Sequence, residues 1–420
     1  MSNIRTSTLP NGLRIITDNA ADMHSVAVGI WTGVGTRHED MTYNGVAHMV
    51  EHMLFKGTKT RDAKQIAEVT ESAGINMNAY TSREITSYHM RGLTESLPLM
   101  VEVLADMYQH STLPQEEIER ERQVILQEIG MTLDTPDDLV FDNYYATAYP
   151  DQALGAPILG TAEIIANMPE APLRGYIAQF YNPANTVISA AGNVDHDAFV
   201  SLCAQHFNAL PAGEKVRDIQ ASYKGGDHRS EKELEQAHFI LGFRGIPKLD
   251  DDYYAAQALS TVFGGGMSSR LFQEVREKRG LVYSVYSFHW GHHDDGQFGI
   301  YAGTGPDKLA EIMPVVCDEV MKLANTLSEQ EVARARTQIK SNLLMGRESM
   351  MRRADQQASH MLLHNAVFDP DALADKIDAL DVTALQNVAR RIFQGSPTLA
   401  ALGPIANLED YDSIAKRLAA

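Results

Sequence analysis

Cysteine and long apolar runs are both scarce in this sequence. Its 420 residues include only Cys203 and Cys317, too few for a disulfide framework, so we interpret both as buried or bystander thiols. No run of about 18 or more apolar residues occurs, so no membrane-spanning helix is expected. The first residues lack the apolar segment of a signal peptide and the Arg-rich pattern of a transit peptide. These absences predict a cytoplasmic protein without a membrane span.

Basic residues are outnumbered by acidic ones. The sequence holds 36 Lys and Arg against 55 Asp and Glu, which gives a net charge of −19 at pH 7. Such a charge disfavours nucleic acid as a partner, because phosphates and carboxylates repel each other. It suits cationic or unstructured peptides as substrates, although the need for solubility alone also explains a negative surface.

The most informative pattern that is present lies at residues 48–52. His48, Glu51 and His52 share one face of a helix, and the apolar residues of the segment lie on the opposite face. Two neutral imidazoles with a carboxylate beside them can hold Zn²⁺ and place a general base next to its bound water. The order is H-x-x-E-H, the reverse of the commoner H-E-x-x-H. Ordinary surface histidines are the alternative interpretation.

A second helix is predicted after Pro114, which suits a first helical turn. Glu121 and Glu128 are seven residues apart and therefore lie two turns apart on one face of this helix. Zinc in a hydrolase usually has three protein ligands and one open position. A carboxylate from this helix would complete the set, and the other Glu would orient a ligating imidazole. A solvated, charged helix is the alternative.

Together, residues 48–58 (HMVEHMLFKGT) and 119–129 (ERERQVILQEI) resemble the M16 family of zinc peptidases, the inverzincins. This family includes pitrilysin, insulin-degrading enzyme and the mitochondrial processing peptidase. In this family, the third ligand is the second Glu of a Glu-x₆-Glu pair. That pair follows the H-x-x-E-H motif at a sequence distance similar to the one between His52 and Glu128 here. The resemblance implies one Zn²⁺ per chain, with the following roles. The ligands are His48, His52 and Glu128, the general base is Glu51, and the support outside the ligand set is Glu121.

Residues 270–283 are similar to the Arg/Tyr motif of the same family. The resemblance implies that Arg276 and Tyr283 hold the substrate backbone and stabilise the tetrahedral intermediate. Arg is always charged and Tyr donates a hydrogen bond, so both suit an oxyanion. A helix C-terminus capped by Gly280 is the alternative explanation for Arg276.

Both halves of the sequence follow the same plan. Residues 186–192 and 398–403 each predict a short strand that is closed by Gly and followed by a terminal helix. Short alternating strands with long helical insertions predict an α+β fold of two similar domains, each a mostly antiparallel sheet with helices on one face. The resemblance implies the same plan, the M16/LuxS-like metallohydrolase fold. We expect an N-terminal zinc-binding peptidase domain at 1–210, a linker at 211–231 and a C-terminal M16 domain with the Arg/Tyr pair at 232–420.

Residues 75–84 resemble the edge strand that lies beside the metal in this family, where a peptide adds as an extra strand. The resemblance implies that Asn78 and Ala79 lie closest to the substrate. Phe55 corresponds to a pocket residue that, in the processing peptidases, meets an apolar side chain just after the cut. Core packing is the alternative for Phe55.

Asp138 and Asp142 lie four residues apart on one face of a further predicted helix. In the mitochondrial processing peptidase, acidic residues at the corresponding places receive an Arg two residues before the cut. The first of them is Glu in such relatives, and Asp is one methylene shorter. Alternatively, Asp137 and Asp138 follow Pro136 as helix N-terminal acids that need no ligand.

The sequence therefore predicts a zinc-dependent metalloendopeptidase that hydrolyses unfolded or basic, presequence-like peptides, with a zinc-bound water activated by Glu51. A broad oligopeptide-clearing peptidase and a non-catalytic scaffold or partner subunit are the alternatives. The scaffold is disfavoured because no zinc ligand is missing. Short members of the family pair with a second chain, and both motifs occur here, so a homodimer is expected.

Overall fold

A computed structural model describes residues 3–217 and 219–419. Within them the strands are β1 (Asn3–Thr8), β2 (Arg14–Asn19), β3 (Ser25–Thr32), β4 (Asn76–Thr81), β5 (Thr86–Leu93), β6 (Thr186–Gly192), β7 (Gly226–Glu231), β8 (Ala237–Arg244), β9 (Ser284–Gly291), β10 (Gly296–Thr304) and β11 (Thr398–Gly403).

The helices of the described residues are α1 (Val46–Leu54), α2 (Ala63–Ser72), α3 (Leu97–His110), α4 (Gln115–Leu133), α5 (Pro136–Ala148), α6 (Ala162–Asn167), α7 (Glu170–Phe180), α8 (His196–His206), α9 (Tyr253–Gly264), α10 (Leu309–Thr326), α11 (Glu329–Gly346), α12 (Met350–His364), α13 (Pro370–Asp378), α14 (Val382–Phe393) and α15 (Tyr411–Leu418). Short 3₁₀ turns lie at Thr36–His38, Met41–Tyr43, Thr94–Ser96 and Pro183–Asn185, and a π-helical turn lies at Phe272–Glu277.

The chain forms two compact units, each discontinuous in sequence. Unit 1 comprises the described residues up to Gly130, together with Ala156–Ile219 and Met345–Phe368. Unit 2 comprises Met131–Gly155, Gln220–Leu344 and the described residues from Asp369 onward. These units differ from the ranges 1–210 and 232–420, because one segment of each half belongs to the unit built mainly from the other half. The domain boundaries and the linker stay a prediction.

The sheet of unit 1 has the order β1-β2-β6-β3-β5-β4. All neighbouring strands are antiparallel except β2 and β6, which are parallel. One face packs on the main core of this unit, to which α1 and α3 contribute. The second face contacts α12 through Ala354, Ala358 and Met361, which pack against strand residues that include Trp31. The small alanines allow the helix to approach the sheet closely.

The sheet of unit 2 has the order β7-β11-β8-β10-β9. Here β7 and β11 are parallel, and the other neighbours are antiparallel. A large apolar core that includes α9, α10 and α14 covers one face. On the second face, Val140 and Tyr144 of α5 pack against Ile240, Phe288 and Ala400.

The predicted α+β class with mostly antiparallel sheets is confirmed. The structure adds one helix on the second face of each sheet, α12 in unit 1 and α5 in unit 2. The central strands account for this, because β6, β10 and β11 are buried at every residue and so have no solvent-facing side. None of the described helices has both the length and the apolar character needed to cross a membrane.

Candidate metal centre

Helix α1 presents the H-x-x-E-H side chains as the sequence predicts. Its apolar residues, among them Val46, Val50 and Met53, are buried in the core of unit 1. The side chains of His48 and His52 keep 12% and 18% of their surface exposed. The helix therefore fixes one face in the core and leaves the two imidazoles at an accessible surface.

The N-terminus of α1 is held by a carboxylate that is distant in sequence. Gly45, the residue before the helix, has φ of 94°, and a Cβ there would lie 2.7 Å from the carbonyl oxygen of Leu159. Because Gly45 has no side chain for capping, buried Glu39 accepts hydrogen bonds from the amides of Gly45 (2.9 Å) and Ala47 (2.8 Å). The side chain of Asn44 donates to Glu39 as well (2.9 Å). Glu39 thus satisfies helix donors next to the metal motif.

This buried cap has a testable consequence for stability. Burial raises the pKa of Glu39 to about 7, against its backbone and Asn44 hydrogen bonds. The folded state therefore keeps this proton to higher pH than the unfolded state, so stability falls as pH rises from about 4.5 to about 7. A shift of this size corresponds to about 3 kcal/mol, and we expect Glu39→Gln to lose that pH dependence.

The measurement is the unfolding midpoint of metal-free wild type and Glu39→Gln protein at pH 5 and pH 8. We expect similar midpoints at pH 5 and a higher midpoint for Glu39→Gln at pH 8. Glu71→Gln, at an exposed position of α2, is the matched control and is expected to follow the wild type at both values. Parallel behaviour of Glu39→Gln and wild type would contradict this account of the cap.

Three predicted ligands converge in unit 1. The ligand atoms of His48, His52 and Glu128 all lie within 4.8 Å of one another, and the structure shows no other such group among the described residues. Oε2 of Glu128 is 3.8 Å from Nε2 of each imidazole. Ligand atoms about 2.0–2.2 Å from a tetrahedral zinc are roughly 3.3–3.6 Å apart. The two distances from Glu128 to the imidazoles are therefore only slightly longer than a zinc site requires.

The unsatisfied carboxylate oxygen supports the fit. Oε2 of Glu128 is buried and has no hydrogen-bond partner within the described part of the chain. A buried carboxylate oxygen without a donor is costly, and a cation between it and the two imidazoles removes that cost. Two His and one Glu also form a common catalytic zinc set, which leaves a fourth position open. The residues therefore fit Zn²⁺.

Glu121 fixes the orientation of one imidazole. Its Oε2 lies 2.8 Å from Nδ1 of His52, and its Oε1 lies 2.7 Å from Nζ of Lys56. An ionised carboxylate only accepts, so Nδ1 carries the hydrogen and Nε2 keeps its lone pair for a metal. Although burial alone would raise the pKa of Glu121, the hydrogen bonds from His52 and Lys56 lower it. Glu121 therefore stays charged beside the ligand.

The two imidazoles differ in their electrostatics. Burial, together with the neighbouring His52, lowers the pKa of His48 to about 4, so His48 is neutral at neutral pH and able to bind a metal. Burial opposes protonation of His52 as well, but the bond to Glu121 and the charges of Glu128 and Glu51 raise its pKa. Metal binding at His52 therefore competes with a proton that the surrounding carboxylates favour.

Glu51 lies beside the ligands and is half-buried. Its Oε2 accepts a hydrogen bond from the hydroxyl of Thr81, the last residue of β4. Burial raises the pKa of Glu51 and outweighs the opposite effect of the Thr81 hydrogen bond. A carboxylate with a raised pKa is a stronger base than a solvated one.

The predicted substrate residues of unit 1 lie on or near β4, an edge strand of its sheet. Asn78 is exposed and its side chain accepts a hydrogen bond from the amide of Ala79 (2.9 Å). Ala79 and Phe55 are half-buried and pack against the core, and the ring of Phe55 lies 6.3 Å from that of Tyr88. Phe55 therefore has the packing role that the sequence left open, and its place in a substrate pocket stays a prediction.

The Arg/Tyr pair lies in unit 2. The π-helical turn carries Arg276, whose guanidinium carbon is 5.6 Å from the centre of the Tyr283 ring. Tyr283 is 75% exposed, so its hydroxyl is available to a ligand. The turn ends at Glu277, and Gly280 follows it with φ of 59° and donates its amide to the carbonyl of Arg276 (2.9 Å). A Gly in the left-handed region after the turn and the exposed pair are thus both present.

A pocket of about 560 Å³ in unit 2 brings Tyr283 and Asp138 together. Acidic and aromatic side chains dominate its lining, which comprises Pro136, Asp137, Asp138, Phe141, Leu234, Glu235, Gln236, His238, Tyr283, Ser284, Tyr286 and Tyr301. Asp142 is half-buried one turn further along α5 and is not among the lining residues. Its predicted contact with a substrate Arg therefore has no support from this pocket.

Three residues that shape the centre were not predicted from the sequence. Glu39, Lys56 and Thr81 are joined to α1 or α4 by hydrogen bonds that the order of residues does not reveal. Lys56 follows His52 by one helical turn, and this spacing was the one available signal. The other two depend on contacts between distant segments.

Two His and one Glu around an open position are the donor set of many zinc-dependent hydrolases. Residues 14–162 match the family model described as insulinase (peptidase family M16). Residues 170–339 match the model described as the peptidase M16 inactive domain. A protein of Rickettsia felis named as an uncharacterized zinc protease is 41% identical over 403 residues, covering 96% of this chain and 98% of its own. A Bacillus subtilis protein of similar name is 36% identical, covering 96% and 99%. The chain belongs to peptidase family M16.

Solved structures share the fold. A protease from Helicobacter pylori has a TM-score of 0.88 at 24% identity, covering 96% of this chain and all of its own. A chain of complex III₂ from Candida albicans has a TM-score of 0.87 at 22% identity, with 99% of each chain covered. At such identities the likeness extends to the fold alone.

Proposed function

We propose that this protein is a zinc-dependent metalloendopeptidase acting on unfolded or basic peptides, with one Zn²⁺ per chain held by His48, His52 and Glu128. The convergence of these three side chains, with Glu51 beside them, carries the proposal. Relatives named zinc proteases, similar over nearly the whole chain, support it. Hydrolysis of an unstructured peptide by zinc-loaded protein, and its loss after chelation, is the test.

Both the metal and the side chains around it would contribute to the reaction. Bound zinc supplies Lewis acidity, which polarises a peptide carbonyl and makes water a better nucleophile. Glu51 accepts a proton from the attacking water and then gives it to the leaving amine. Its raised pKa makes the carboxylate a stronger base for the proton of the water, and the carboxylic acid that results is still a far stronger acid than a protonated amine, so it can return the proton. Glu121 keeps His52 in the tautomer that binds.

The substrate main chain is proposed to pair with β4. The outer edge of this strand pairs with no other strand of the described residues, so it offers backbone groups for hydrogen bonds that do not depend on side-chain identity. Asn78 and Ala79 lie in the middle of the strand, and Phe55 is proposed to contact the residue after the cut. Arg276 and Tyr283 are proposed to donate to the substrate backbone and to the developing oxyanion.

The acidic pocket of unit 2 supports a preference for a cationic residue before the scissile bond. Asp138 and two further carboxylates among the lining residues attract a guanidinium, and the aromatic rings favour a cation over their faces. Arg suits this site better than Lys, because its planar group both pairs with carboxylates and stacks on rings. The net charge of −19 also concentrates basic peptides near the protein.

We expect a peptide with Arg shortly before the cut to be cleaved with a kcat/KM about 10-fold above that of its Ala counterpart, from one charge-assisted contact. The measurement is a series varying only that residue through Arg, Lys, Ala and Glu at two salt concentrations. Asp138→Asn is expected to remove most of the preference, whereas Asp142→Asn, outside the pocket lining, is the matched control. Equal kcat/KM for Arg and Ala would leave a broad oligopeptidase.

A homodimer stays the predicted assembly. It rests on the pairing of short M16 members with a second chain and on the presence of both motifs in this one. Because a C₂ dimer uses the same surface of both copies, it would duplicate every group described above.

A further inference from the structure

Thr81 is held firmly at the end of β4. It pairs with Thr86 of β5, and the hydroxyl of Thr86 donates to the carbonyl of Val34 (2.9 Å). The turn beyond Thr81 is closed by the amide and hydroxyl of Ser82, which donate to the carbonyl of Ile85 (2.8 and 2.9 Å). The backbone of Thr81 therefore has a defined position that does not depend on α1.

Only one of the two carboxylate oxygens of Glu51 accepts a hydrogen bond from Thr81. Oγ1 of Thr81 donates to Oε2 of Glu51. Oε1 of Glu51 has no hydrogen-bond donor among the described residues. A carboxylate on two flexible bonds rotates readily in solution, so a single strong donor is enough to select one orientation.

We propose that Thr81 is a positioning residue for the general base, holding Oε2 so that Oε1 faces the attacking water. This inference rests on the proposed role of Glu51. The proton of the water passes to Oε1, while Thr81 keeps its own proton and continues to donate to Oε2. The proton on Oε1 then passes to the nitrogen of the leaving amine. Thr81 neither gains nor loses a proton in the cycle.

The position of Thr81 also links the base to the substrate strand. Thr81 ends the edge strand with which the peptide main chain is proposed to pair. A peptide that extends the sheet would lie beside the strand from which Thr81 projects, and so close to Glu51. Because the hydroxyl of Thr81 donates to Glu51, Thr81 acts on the reacting carboxylate and not on substrate affinity.

The test compares Thr81→Val, which keeps the shape but removes the donor, with Thr81→Ser, which keeps the donor. We expect Thr81→Val to bind one zinc per chain, to keep its KM and to lose about 10-fold in kcat. Thr81→Ser is expected to retain most of the wild-type kcat. Thr70→Val, which removes a buried Thr hydroxyl of α2 that donates to the carbonyl of Ile66 (2.9 Å), is the matched control and should keep kcat even where its melting temperature falls.

A readout beyond activity is the orientation of Glu51 in crystal structures of the zinc-loaded proteins. We expect one carboxylate orientation in the wild type and a rotated or divided one in Thr81→Val. If the Val protein does not fold, Thr81→Ala serves in its place. A wild-type kcat or an unrotated carboxylate without the hydroxyl would overturn the proposal, as would equal losses in Val and Ser variants or a change confined to KM. An inactive wild type, or a fully active Glu51→Gln protein, would instead overturn the proposed function.

Discussion

Replacing Glu51 by Gln is expected to leave zinc bound and to lower kcat by about 10²-fold or more. The amide keeps the size of the side chain and still accepts the hydrogen bond from Thr81 through its oxygen. It has no basic oxygen for the proton of the attacking water, so the loss falls on the chemical step. The measurement is steady-state hydrolysis of an unstructured peptide, together with the zinc content of the same sample.

Two controls separate this effect from general damage. Glu116→Gln makes the same change on the exposed first turn of α4 and is expected to keep both activity and zinc. A Glu51→Gln protein that cleaves peptide at the wild-type rate would contradict the base role. A protein that loses its zinc as well would show that Glu51 takes part in metal binding.

His48→Ala and Glu128→Gln are each expected to abolish zinc binding under conditions in which the wild type holds one ion per chain. Each substitution removes one of three converging ligands, and two ligands hold zinc far less tightly than three. Glu121→Gln removes no ligand but loses the charge beside His52, so its affinity for zinc is expected to fall by about 10- to 100-fold. Metal analysis after dialysis against a weak chelator measures all three.

The matched control for the ligand series is His24→Ala, an exposed His outside the cluster. It is expected to retain full zinc. Full zinc occupancy in His48→Ala or Glu128→Gln protein would show that the ion lies elsewhere. Undiminished affinity in Glu121→Gln would show that Glu121 does not orient the ligand.

The sequence pattern within single segments was enough to predict several strands and helices. The strands at Thr186–Gly192 and Thr398–Gly403 occur with the expected bounds, because a short apolar run closed by Gly carries its own boundary. Helix α1 presents its polar side chains as expected, because the apolar positions around His48 recur with the helical period. The edge position of β4 followed from resemblance and is present in the sheet of unit 1.

The sequence could not predict in the same way that α5, from the first half of the chain, belongs to unit 2, or that α12, from the second half, belongs to unit 1. Tyr144 and Ala354 lie on helices that bury one face, but a helical pattern shows at most that a face is buried and not which sheet buries it. The capping role of Glu39 was not predicted for a related reason. A capping carboxylate six residues before Gly45 follows none of the local capping patterns, so its role is visible only in three dimensions.

Within the candidate site, the resemblance implied His48, His52 and Glu128 as one ligand set. The structure brings their ligand atoms together, and their role as zinc ligands stays a prediction. Asp142 was expected to pair with a substrate Arg together with Asp138, but the pocket lining includes Asp137 and Asp138 and not Asp142, so this role stays a prediction. The contact of Thr81 with Glu51 could not be predicted, because no sequence pattern distinguishes this Thr from others at the end of a strand.

The central claim is that this chain hydrolyses peptides with one zinc at His48, His52 and Glu128. Its most direct test is titration of metal-free protein with zinc while peptide hydrolysis is followed. We predict that activity is absent without metal, rises in proportion to added zinc and levels off at one equivalent per chain, and that His48→Ala protein stays inactive throughout. Hydrolysis by the metal-free protein, or a rise in the His48→Ala protein equal to that of the wild type, would contradict the claim.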